Sequence, residues 1–142
     1  SSLAGALGDA GCRLRSLVLK DNRLADEPLR ELAAALAARA SLEELDLSRC
    51  SLGVAAAAPL AEGPLACASI RALWLFGNSL GDASAFFTAL ATNATLRELD
   101  LAKNGLGDAG ATVLAESLRG NGALQELRLS KNGIGAPGAE QL

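Results

Sequence analysis

One spacing of apolar residues returns five times along this chain, and that recurrence constrains the fold more than any other feature. The pattern L-x-x-L-x-L-x-x-N-x-L is first met as Leu14, Leu17, Leu19, Asn22 and Leu24. It returns as Leu42, Leu45, Leu47, Cys50 and Leu52, and as Ile70, Leu73, Leu75, Asn78 and Leu80. Leu96, Leu99, Leu101, Asn104 and Leu106 form the fourth copy, and Leu124, Leu127, Leu129, Asn132 and Ile134 the fifth. Successive starts lie 28, 28, 26 and 28 residues apart. Inside each copy the alternation Leu17-Val18-Leu19 or Leu99-Asp100-Leu101 predicts a half-buried strand of period two. The second half of each repeat changes period: Pro28, Leu32 and Leu36, like Gly110, Leu114 and Leu118, sit four apart and share one helix face. Pro28 suits a first helical turn, where its missing N–H costs nothing. Strand, loop, helix and loop then alternate, which is the crossover that parallel strands require.

These motifs resemble the leucine-rich repeats, and the 28-residue period is similar to the ribonuclease-inhibitor-type subfamily; the resemblance covers essentially the whole chain. It implies an α/β fold, a right-handed solenoid bent into a horseshoe arc, with a parallel sheet on the concave face and helices on the convex face. It also implies a structural ladder: the side chains of Asn22, Asn78, Asn104 and Asn132 satisfy backbone groups of the turn leaving each strand, and Cys50 is an accepted substitute in that column. The expected units are the end of a preceding repeat in 1–13, repeats in 14–41, 42–69, 70–95 and 96–123, and a partial repeat in 124–142. No polar capping repeat is visible at either end and the chain starts without Met, so a fragment of a longer array is expected.

Two repeats depart from the pattern. The third is two residues short, the deletion falling between Asn78 and Phe86. The second carries Pro59 and Pro64 where helix is due, and Pro64 stands in the column of Leu36, Leu90 and Leu118. A proline inside a helix costs about 3 kcal/mol or more, so a short or broken helix is expected there.

Composition closes off whole classes of function. The chain has no His, so a Ser-His-Asp or Cys-His arrangement and a His-containing zinc site are both out of reach. Cys12, Cys50 and Cys67 form no C-x-x-C pair, and an odd number suits a reducing compartment better than a disulfide framework. With no leader at the start either, an intracellular, cytoplasmic residence is expected. The longest apolar stretches fall far short of the roughly 20 residues of a membrane span, so no membrane insertion is expected. Sixteen acidic against thirteen basic residues leave a net charge of −3, which argues against nucleic acid as the partner.

Apparent chemical motifs follow the repeat. Gly105 to Gly110 reads GLGDAG, a formal dinucleotide fingerprint, but GIGAPG recurs in the same register at Gly133 to Gly138, and RLADEP in the first repeat lacks the glycines. The outward carboxylates Glu43, Glu44, Asp46, Glu98, Asp100 and Glu126 read as a solvated face mixed with Arg71, Arg97 and Arg128, since no nucleophile accompanies them. Neither cofactor nor metal nor catalytic residue is expected.

The outward columns are more informative. Strand position five reads Val18, Asp46, Trp74, Asp100, Arg128; position seven reads Lys20, Ser48, Phe76, Ala102, Ser130; position eight reads Asp21, Arg49, Gly77, Lys103, Lys131. The one Trp of the chain and one of its three Phe therefore share the outer side of the central strand, with an acid on either side of Trp74. Aromatic residues ringed by charge mark interaction hot spots. The expected function is a non-enzymatic module or scaffold that binds a protein partner on its concave face. Trp74 and Phe76 would anchor it, with Asp46, Asp100, Arg49, Lys103 and Arg128 supplying orientation and charge selection. The alternatives are an architectural subunit of a large assembly and a regulatory repeat domain of the GTPase-activating type.

Overall fold

The computed structural model describes residues 2–38 and 41–142. Five three-residue strands, β1 (Ser16–Val18), β2 (Glu44–Asp46), β3 (Ala72–Trp74), β4 (Glu98–Asp100) and β5 (Glu126–Arg128), form one parallel sheet in sequence order. Helices α1 (Leu3–Gly8), α2 (Asp26–Ala37), α3 (Ala57–Glu62), α4 (Ser84–Thr92), α5 (Gly107–Gly120) and α6 (Ala136–Ala139) line the other side. Strands stack about 4.8 Å apart while helices need about 8–10 Å, so the sheet takes the inside of the bend and becomes the concave face. No described helix is long and apolar enough to cross a membrane.

The strand alternation is realised in the core. Leu45, Leu47, Leu73, Leu75 and Leu101 have no exposed surface, and Leu99 retains 1%. From the helices come Leu32, Leu36, Leu60, Leu90 and Leu114, all buried. At the two sides of the stack the same columns are only half-covered, at Leu17 and Leu19 in the first repeat and Leu127 and Leu129 in the last. Pro28 shares this position. It is the third residue of α2, as first-turn placement requires, yet it is exposed, on the side of α2 that faces the six-residue α1.

The second repeat carries the broken helix expected of it. A 3-10 turn at Val54–Ala56 leads into a six-residue α3. Pro59 lands in the first turn of α3, where no N–H is required, and Pro64 follows its end. In the shortened third repeat α4 has nine residues against fourteen in α5, and both Phe86 and Phe87 are fully buried, edge to face with centroids 5.9 Å apart. Phe86 occupies the column of Leu32 and Leu114. Phe87 stands where neighbouring repeats have Ala33, Ala61 and Ala115, so a large ring supplies volume in the repeat that has lost two residues.

Candidate concave-face interaction site

Sheet register places Val18, Asp46, Trp74, Asp100 and Arg128 in one row across the strands. Leu73 and Leu75 are wholly buried on either side of Trp74, so the pleat drives the indole to the opposite face. Phe76 follows two residues on. Neither ring is fully exposed; both are half-buried and line one side of a trough. Asp46 and Ser48 make the floor, Val18 and Lys20 the opposite wall, and Ser16 and Glu44 one end, around about 410 Å³.

The charged residues divide into two groups. Asp46 Oδ1 accepts the backbone N–H of Ser48 at 2.9 Å, and Asp100 Oδ1 accepts that of Ala102 at 2.9 Å. Each carboxylate is thereby fixed in direction with its second oxygen left over. Arg49 and Arg128, by contrast, are engaged within the chain. Arg49 Nε and Nη2 donate to the two oxygens of Asp21 at 2.6 and 2.8 Å, one turn away in the preceding repeat, and Arg128 pairs with Glu126 on its own strand. The Arg49 guanidinium holds the Asp21 carboxyl below the usual carboxylate range, through their hydrogen bond first of all. Lys103 lies exposed on the C-terminal rim of the sheet beside Lys131. The geometry thus brings Asp46, Trp74, Phe76 and Asp100 together and places Arg49, Lys103 and Arg128 at its margins.

The rim has a property that residue types did not disclose. Asp21, Arg49, Gly77, Lys103 and Lys131 all have positive φ, between 52° and 69°. Only one of these five is glycine, so the left-handed turn is imposed by the stacked repeats and not by local preference.

Below the rim runs the asparagine column. Asn78 Oδ1 accepts the N–H groups of Cys50 and Leu52, both at 3.0 Å, and its Nδ2 donates to the carbonyls of Leu47 and Leu75. Asn132 spans the next pair of repeats in the same way, through Asn104 N, Leu106 N, Leu101 O and Leu129 O. Asn22, at the side of the stack, is exposed, and its side-chain Nδ2 donates only within its own turn, to the carbonyls of Leu19 and Lys20. Cys50 Sγ donates to Leu19 O at 3.2 Å, and burial pushes its thiol pKa up. Asn104 Nδ2 donates to Leu75 O, but Asn104 Oδ1 has no hydrogen bond to the protein. By the register of Asn78 and Asn132, its donors would be Asn78 N and Leu80 N of the shortened repeat.

A second column, which the sequence reading missed, ties the loops at the other end of the strands. Asn121 Nδ2 donates to Leu90 O and Asn93 O, while its Oδ1 accepts from Ala123 N and Leu124 N. Asn93 does the same with Leu65 O, Thr95 N and Leu96 N. The signal was present: both lie three residues before a repeat start and 28 apart, and Cys67 holds that place in the second repeat, as Cys50 does in the first column. Cys67 and Cys50 are buried and Cys12 is half-buried. Native-state alkylation with iodoacetamide should therefore modify Cys12 first and reach Cys50 and Cys67 only on unfolding, as peptide mass spectrometry would show; early modification of Cys50 would contradict its placement.

The glycine strings are likewise accounted for. Gly105 and Gly133 have φ of 70° and 68°, and Asp108 Oδ1 accepts Gly135 N at 2.7 Å and Gly138 N at 3.1 Å. The amides that a phosphate would need at the start of α6 are held by Asp108. A Cβ on Gly138 would come within 2.9 Å of the Asp108 Cα, so this glycine serves close stacking of repeats.

The chain is similar to known proteins in both sequence and shape. The Leucine Rich Repeat family profiles match residues 41–60, 92–115 and 123–142. Ribonuclease inhibitor of Sus scrofa is 39% identical over 119 residues, which is 82% of this chain and 26% of the relative. NACHT, LRR and PYD domains-containing protein 12 of Homo sapiens is 42% identical over 113 residues, 76% of this chain and 10% of that protein. The chain thus spans about a quarter or less of the length of these relatives. Among solved structures, the tropomodulin C-terminal domain of Caenorhabditis elegans matches with a TM-score of 0.80 at 16% identity, over 97% of this chain and 85% of that one. Leiomodin-1 Actin-Binding Site 2 matches with 0.84 at 20% identity, over 97% and 82%. At those identities the structures speak for the fold alone. With the five-fold motif, the parallel sheet and the sequence relatives in agreement, the chain belongs to the leucine-rich-repeat proteins, with repeats of the ribonuclease-inhibitor type.

Proposed function

We propose that this chain is a non-enzymatic protein-interaction module whose concave face holds a protein partner, with Trp74 and Phe76 as the anchors. The observation that carries this reading is the trough itself: the one Trp of the sequence and Phe76 wall an open groove on a rigid sheet whose own core is already complete beneath them. Large aromatic residues placed there add nothing to core packing and suit a partner's side chains. Asp46 and Asp100 flank the anchors and contribute charge selection; Arg49, Lys103 and Arg128 act from the margin. The pig relative is named for inhibiting a ribonuclease and the leiomodin domain for binding actin. Those names support a protein as the partner without selecting one.

A pull-down comparing the wild-type chain with Trp74→Ala/Phe76→Ala tests the proposal. Proteins retained by the wild type should be lost from the double variant while its circular dichroism and melting curve stay close to wild type, because both rings lie outside the core. Retention of the same partners by a folded double variant would overturn it.

A further inference from the structure

The chemistry around Trp74 is one-sided. Asp46 and Asp100 occupy the register positions on either side of it, each about 4.8 Å away across the sheet, and Glu44 and Glu98 lie two residues before them on the same strands. Among the described residues the ion pairs are Arg15–Glu43, Arg30–Glu27, Arg49–Asp21 and Arg128–Glu126, so none neutralises these four carboxylates. Arg49 acts on Asp46 through space, but its fork is committed to Asp21. The backbone amides of Ser48 and Ala102 hold one oxygen of Asp46 and of Asp100 and leave the other without a hydrogen bond among the described residues. Beside this charge stand Val18 (64% exposed), with Lys20 next to it, on one side and the two rings on the other; against the one cation Lys20 the lining carries the carboxylates Glu44, Asp46 and Asp100. A groove with apolar surface on both sides and an excess of carboxylates is complementary to a long aliphatic stem ending in a cation. A guanidinium fits best of the natural cations, because its plane stacks on an indole while its edge donates to a carboxylate in a fork.

We propose that the trough between Val18 and Trp74 is a receptor for an arginine side chain of the partner, stacked on the Trp74 indole and hydrogen-bonded to Asp46 or Asp100. This rests on the concave-face reading above and adds the chemical class of the bound group.

Trp74 is the sole tryptophan, so intrinsic fluorescence reports on this site alone. The chain is titrated with a short peptide alternating arginine and glycine, and with the lysine and citrulline versions of it. Citrulline keeps the shape and removes the charge. The arginine peptide should change Trp74 emission saturably and bind at least about tenfold more tightly than the citrulline peptide, with the lysine peptide between them. Asp46→Asn/Asp100→Asn retains an acceptor oxygen for the Ser48 and Ala102 amides, so it should melt like wild type yet lose roughly tenfold in affinity for the arginine peptide. Equal response to arginine and citrulline, equal binding of arginine and lysine, or an unchanged affinity in the folded double variant would each overturn the proposal. If the Trp74→Ala/Phe76→Ala variant still loses its protein partners in that event, the concave-face reading stands and only the arginine assignment falls.

Discussion

Replacing Asn78 with alanine is expected to lower the unfolding free energy by about 3–5 kcal/mol, a loss reserved for broken buried networks. Asn78 is 6% exposed and joins two repeats through four hydrogen bonds, to the N–H groups of Cys50 and Leu52 and the carbonyls of Leu47 and Leu75. Alanine strands three of them, the N–H groups of Cys50 and Leu52 and the Leu47 carbonyl, in a place water reaches poorly, while Leu75 O keeps the bond from Asn104 Nδ2; each buried unsatisfied group costs about 1–3 kcal/mol before relaxation. The same change at Asn22, whose exposed side chain donates only within its own turn, should cost less than about 1 kcal/mol. Urea unfolding followed by circular dichroism separates the two. Similar losses at both positions would mean that the column does not act between repeats.

Phe86→Ala should destabilise the fold by about 3–5 kcal/mol for a different reason, the cavity it leaves. Phe86 has no exposed surface and packs edge-on against Phe87 at an interplanar angle of 68°. Helix α4 is short and follows the shortened loop, so few neighbouring side chains can move in to fill the space. The same urea experiment reads the loss; a change below about 1 kcal/mol would show that this layer collapses readily.

The layers of this fold were legible because each rests on a periodicity. Alternating leucines placed the strands, and the shared register of five copies places Asp46, Trp74 and Asp100 side by side from the sequence alone. Pro59 and Pro64 marked the broken helix, since a missing N–H acts locally. Contacts between repeats were harder to read. The left-handed turn at Asp21, Arg49, Lys103 and Lys131 is forced by stacking on residue types that do not announce it. The Arg49–Asp21 fork joins residues 28 apart in a column read as charge for a partner. The exposure of Pro28 depends on what lies beside α2 and not on its own spacing. Asn93 and Asn121 were visible as a 28-residue pair, but their loops carry no leucine template to draw attention to them.

The most direct test of the central claim is the affinity of one captured partner for two single variants, measured by calorimetry. Trp74→Ala removes the anchor on the concave face, while Glu116→Ala trims an exposed side chain of α5 on the convex face. Trp74→Ala should weaken binding by about 2 kcal/mol or more, some thirtyfold, with Glu116→Ala within about 0.5 kcal/mol of wild type. An unchanged affinity for Trp74→Ala together with a large loss for Glu116→Ala would place the contact on the helices and contradict the account.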